Sequence, residues 1–126
     1  MSLQQEVRSL SIPASADLSA SQFCFVAIDT NGRIILPATA GDDCVGVLQD
    51  KPDALDRAGQ VGMLNMSGRL KVVAGATLAP GDKVQADTSG HAIEAASGDH
   101  VLGTVLSGGD SGEIIEILPS SRMLLP

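Results

Sequence analysis

The chain has 126 residues, enough for one domain that buries about two-thirds of its unfolded surface and needs no disulfide or metal to staple it. Its net charge is −7 at neutral pH and no two Lys or Arg are adjacent, so phosphate backbones are repelled. With two Phe and no Tyr or Trp it also lacks stacking platforms for single strands, and no nucleic acid is expected as a direct partner.

At the start, Leu3, Val7 and Leu10 fall at helical spacing until Pro13 closes the pattern, a stretch of at most two turns. Residues 9–21 interleave Ser with Ala and read as part of an extended arm, residues 1–22, that is either a docking device or a frayed terminus. A signal peptide's basic start and apolar run are absent here, and no segment is long and apolar enough to span a membrane. The expectation is a protein made in a cytoplasm, with no membrane partner.

Residues 23–28 form the first clear strand, and Asn31-Gly32 after it predicts a type I′ hairpin turn into residues 33–36. Residues 44–48 are apolar enough for a strand buried on both faces. Residues 52–59 run from Pro to Gly and read as one helical turn or a compact loop. Strands follow at 60–66 and 69–73, turned by Ser67-Gly68, with Leu70 and Val72 alternating against Arg69 and Lys71. Further strands are expected at 83–86, 91–94, 100–106 and 113–118. The tail, residues 119–126, ends Met123-Leu124-Leu125-Pro126, apolar where solvated tails are polar, so it is expected to pack on something.

The second half repeats the first. Asp87-Thr88-Ser89-Gly90 answers Asp29-Thr30-Asn31-Gly32, Gly98-Asp99 with the Val-rich run after it answers Gly41-Asp42, and Gly112 answers Gly59. The offset falls from 58 (87 − 29) to 57 (98 − 41) to 53 (112 − 59), and such length changes belong in loops, since strands must keep register. The fold class expected is all-β, a small barrel or sandwich built from two similar β units, residues 23–118, sharing one core about a pseudo-twofold.

Groups able to do chemistry are sparse. Cys24 and Cys44 sit in strands at no metal-like spacing and read as two buried thiols, with a disulfide between them the alternative if those strands are neighbours. His91 and His100 have no third ligand at sensible spacing, so no metal site is expected. Asp42, Asp43 and Asp99 each lie in a Gly-Asp turn, where a carboxylate accepts local N–H groups rather than forming a catalytic dyad. The loop from Ser107 to Gly112 lacks the Lys-Ser/Thr ending of a phosphate-cradling loop and precedes a strand. No catalytic residue and no cofactor are expected. The alternative kept open is an oligomeric β-barrel subunit that binds an unknown ligand or hydrolyses nucleotides, though such proteins use aromatic stacking that this chain lacks.

Taken in order, Cys44-Val45-Gly46-Val47-Leu48, Ala58-Gly59-Gln60-Val61, Ser67-Gly68-Arg69-Leu70-Lys71-Val72-Val73, Leu78-Ala79-Pro80-Gly81-Asp82-Lys83-Val84, Val101-Leu102-Gly103-Thr104-Val105-Leu106 and Gly112-Glu113-Ile114-Ile115-Glu116-Ile117-Leu118 resemble the head decoration, or capsid cement, proteins of tailed bacteriophages. The resemblance covers about residues 23–118. It implies a virion protein on the capsid exterior, made in the host bacterium, that clamps neighbouring major capsid protein subunits, often as a homotrimer. Leu3, Val7, Leu10, Met123, Leu124 and Leu125 are the candidate capsid or oligomer contacts.

Overall fold

Ten strands follow one another: β1 (Ser9–Pro13), β2 (Phe25–Ile28), β3 (Ile34–Ile35), β4 (Gly46–Leu48), β5 (Ala58–Met63), β6 (Leu70–Val73), β7 (Lys83–Ala86), β8 (Ala92–Glu94), β9 (His100–Ser107) and β10 (Ile114–Leu124). The computed structural model describes residues 9–64 and 69–124, with 120–124 as backbone only, and among these residues there is no helix. They build a sandwich of two five-stranded antiparallel sheets, ordered β1-β5-β4-β2-β3 and β6-β10-β9-β7-β8. Adding five to each label of the first order gives the second, so the repeat read in the sequence is a repeat of topology.

The correspondence extends to single residues. Phe25↔Val47 and Val47↔Gly62 in the first unit become Lys83↔Thr104 and Thr104↔Leu118 in the second. Parallel bridges Ala14↔Ile34 and Ala74↔Ala92 join the two edge strands of each sheet, which curls each unit towards a barrel and covers edges that would otherwise be open. Each hairpin turn is held by one carboxylate. Asp29 Oδ1 accepts the N–H groups of Asn31 and Arg33, and Asp87 Oδ1 those of Ser89 and His91.

Two sequence expectations about these turns need correction. Gly32 has φ 77 but Asn31 is not among the residues with positive φ, so the hairpin is not type I′. Asp29 N–H bonds to Arg33 O and Gly32 N–H to Asp29 O, which makes it a three-residue loop whose last residue alone needs the left-handed region. Nor is Gly59 the counterpart of Gly112. Gly112 N–H donates to Ala74 O as Asp56 N–H donates to Ala14 O, so the true offset is 56 (112 − 56). The match of glycine to glycine misled because the first unit fills the left-handed position with an Asp.

Phe23 (φ 64) and Asp56 (φ 65) are the non-glycine residues with positive φ, and they stand where the second unit has Gly81 and Gly112. Asp56 is the milder case, because Asp tolerates this conformation and its carboxylate meets Arg33 Nε at 2.6 Å. That contact lowers the Asp56 pKa, so the stabilisation it brings is present above the ordinary carboxylate range and lost as pH falls through the depressed value. Asp56→Ala is expected to lower the urea midpoint and Asp56→Gly to leave it near that of the parent, because glycine adopts the left-handed conformation without cost. Equal losses from the two substitutions would show that the ion pair, not the backbone, sets the cost.

The expectation of one shared core is met only in part. Ala14, Leu18, Val26, Ile34, Leu48 and Val61 form a core within the first unit, whereas the core of the second unit continues into Phe25, Cys44, Val47 and Leu64 of the first. Successive residues explain the division: Phe25 and Val26 point to opposite faces of β2, as do Val47 and Leu48 in β4. Strand β4 is accordingly buried on both sides.

The pseudo-twofold is overturned. Across the seam Phe25 N–H bonds to Gly90 O (2.7 Å), Gly41 N–H to Ala86 O (2.9 Å) and Val73 N–H to Phe23 O (2.8 Å). A twofold would also bring Gly32 against Lys83, yet a Cβ added at Gly32 would meet nothing within 4 Å, while one at Gly90 would lie 2.5 Å from Phe25 O. The units therefore join head to tail. This also accounts for Phe23, whose carbonyl reaches the free edge of β6 only because the backbone takes a conformation that Phe adopts at a cost.

Strand pairing crosses both boundaries drawn from composition. Residues 9–13 pair with β5 along the whole of β1, and Ala14 and Leu18 enter the core, so the described part of the arm belongs to the first unit. Leu10 is in a strand rather than at a helical position, and residues 52–57 form a compact loop. At the other end β10 runs past Leu118 to Leu124.

Candidate interaction surface

Among the described residues no three His, Cys, Asp or Glu are grouped to hold a metal ion. Asp42 Oδ2 accepts Thr39 N–H at 3.0 Å, the turn role expected of it, and His100 Nδ1 lies 3.2 Å from Gly41 O. In the glycine-rich loop three amides are already engaged: Gly109 N–H bonds to Leu78 O, Gly112 N–H to Ala74 O and Asp110 N–H to Glu113 Oε1. Amides engaged in this way are not offered to a phosphate.

Cys24 and Cys44 are both buried. Leu48 N–H bonds to Cys24 O and Val45 N–H to Val26 O, which places the two cysteines at opposite ends of the β2–β4 pair. Their separation is on the order of 10 Å, beyond the roughly 7 Å at which Cα atoms can be bridged. Burial, with a smaller contribution from the Asp87 carboxylate, pushes the Cys24 thiol up to about 11. The raised value favours the folded form below the ordinary thiol range, and this contribution declines as pH rises towards 11. A thiol reagent is therefore expected to label neither cysteine at neutral pH until denaturant is added, and rapid labelling of the native protein would contradict the burial.

What remains is surface. Of the six residues proposed as contacts, Leu3, Val7 and Leu125 lie outside the described residues. Met123 and Leu124 are placed by backbone only, opposite Val101 and His100 on β9. Leu10 is 51% exposed although its counterpart Leu70 is 1% exposed, so a position suited to burial is open in the first unit. The structure thus puts Leu10 on one unit and the Met123–Leu124 backbone on the other.

Sequence reading missed a second apolar area. Ile114 (51% exposed), Leu118 (49%) and Leu106 (41%) project from the outer side of β10 and β9, around the Arg69–Glu116 ion pair of 3.3 Å. Register places Ala58, Gly62 and Gln60 at the first-unit positions of Ile114, Leu118 and Glu116. The signal that could have found it is this contrast between two copies of one strand.

The two head-to-tail β units both bear exposed aliphatic groups, Leu10 and Ile28 on the first and Leu106, Ile114 and Leu118 on the second. No family model matches the chain, and no curated protein matches it. Among solved structures it is similar to the crystal structure of the N base of the head fiber protein gp8.5 of bacteriophage phi29, with a TM-score of 0.73 and 20% identity over 94% of this chain and 98% of that one. At that identity the likeness establishes a common fold, carried through both units.

Proposed function

We propose that this chain is a capsid decoration, or cement, protein: a structural component of a tailed-phage head that binds the outer surface of the assembled shell and stabilises contacts between major capsid protein subunits. The observation that carries the reading is the fold shared, over nearly the whole of both chains, with the base of a phage head fiber. The ordered motifs that resemble decoration proteins point the same way. The proposed contacts are Leu10 with Leu3 and Val7 on the arm side, and Met123, Leu124 and Leu125 at the other end. The active form is a homo-oligomer, a trimer by the resemblance.

The physics of cementing needs no catalytic group. A protein that binds the assembled lattice and not separated subunits stabilises the lattice by mass action. Engaging several subunits at once makes each later contact intramolecular, so modest individual contacts suffice. The test is co-sedimentation with undecorated heads of the phage or prophage that encodes the chain, beside separated capsid subunits, followed by heating of the particles. Retention on heads alone, with DNA released at a higher temperature, is the expected result. Failure to sediment with heads, or equal binding to separated subunits, would overturn the proposal.

A further inference from the structure

The seam inside the chain shows what the outer face of one unit can hold. In the first unit the row Phe25–Val47 on that face is fully buried beneath the turn side of the second unit, where the Gly90 turn and Ala86 sit. The corresponding row of the second unit, Lys83–Thr104–Leu118, is covered by none of the described residues: Lys83 is exposed and Leu118 half exposed. The turn side of the first unit is equally open. Ile28 is 37% exposed where its counterpart Ala86 is 0% exposed in the seam.

A head-to-tail seam leaves one unused face of each kind, and such a contact can be repeated between molecules until it closes a ring. We propose that the outer face of β7, β9, β10 and β6 is a docking surface for the first unit of a second copy of this chain, seated as the second unit seats on the first.

Three features fit this occupant. The space is present: a Cβ on Gly41 would run into the Asp99 carboxylate, whereas at the counterpart Gly98 it would meet nothing within 4 Å, which leaves room for Asp42 of the incoming copy. The charges are complementary. The face carries Arg69, Lys71 and Lys83 against Glu116, on a chain of net −7, and residues 9–64 of the arriving unit carry seven Asp against three basic residues. The apolar groups also correspond, since Leu118 enlarges the row where the first unit has Gly62, and Ile28 enlarges the tip where the second has Ala86.

This develops the self-association in the reading above and is independent of capsid binding, because its assay contains no heads. The experiment is sedimentation velocity on the full chain over a concentration series. The parent is compared with a face variant, Lys83→Glu with Leu118→Asp, and a tip variant, Ile28→Lys, each first shown to keep the parent's far-UV circular dichroism spectrum. The parent is expected to assemble, less so as salt is raised, and each variant to lose assembly. An equimolar mixture of the two variants is expected to recover dimers and go no further, since each retains one intact face. A parent that stays monomeric, variants that still assemble, or a mixture that stays monomeric would overturn the proposal.

Discussion

Gly90→Ala is expected to destabilise the protein by about 3–5 kcal/mol, while the same substitution at Gly32 costs about 1–2 kcal/mol. Both glycines occupy the left-handed region, with φ 80 and φ 77, so the backbone cost of adding a side chain is the same at each. They differ in surroundings. At Gly90 the new Cβ would lie 2.5 Å from Phe25 O and 2.9 Å from Cys24 Cβ, and neither atom can yield without opening the seam between units. Urea denaturation of the two variants measures the difference directly, and against the 5–15 kcal/mol typical of a domain it is large. Equal costs would mean that the units do not touch at that turn.

Phe25→Ala is expected to cost about 3–5 kcal/mol. Phe25 is fully buried, projects from β2 towards the second unit and lies in the core that spans both units, so its loss leaves a cavity at the place where the units are joined. Leu55→Ser, at a loop residue that is well exposed, serves as the control and is expected to change stability by less than about 0.5 kcal/mol. Thermal unfolding followed by circular dichroism separates the outcomes, and a Phe25 variant as stable as the Leu55 variant would show that the cores are independent.

The repeat was legible because it is written in turn chemistry. Asp29 and Asp87 hold the same two amides in each copy, and a carboxylate immediately before a loop is a feature that sequence displays. Strand β1 was harder to see. Leu10 and Ile12 alternate with Ser9 and Ser11 as a strand should, but the helical spacing of Leu3, Val7 and Leu10 competed with that pattern, and only the pairing with β5 resolves it. The counterpart of Gly112 was misplaced because the backbone demands a positive φ at Asp56, not a particular residue type. The hand of the seam left no mark in the sequence, since it depends on which faces meet.

The exposed side of β10 illustrates the same limit at the candidate surface. Ile114, Ile115, Ile117 and Leu118 surround a single Glu116, a run that reads as a strand buried on both faces. Ile115 and Ile117 face the core, and Ile114 and Leu118 face outwards with none of the described residues over them. Local sequence reports how apolar a face is, and only the fold reports whether something lies across it.

Imaging of phage heads tests most directly the proposed place of this chain on their outer surface. Reconstructions of undecorated heads of the encoding phage, with and without added protein, are expected to differ by density on the outer surface that fits two five-stranded units per chain and touches neighbouring capsid subunits. A reconstruction unchanged by saturating protein, or added density confined to the inside of the shell, would contradict the account.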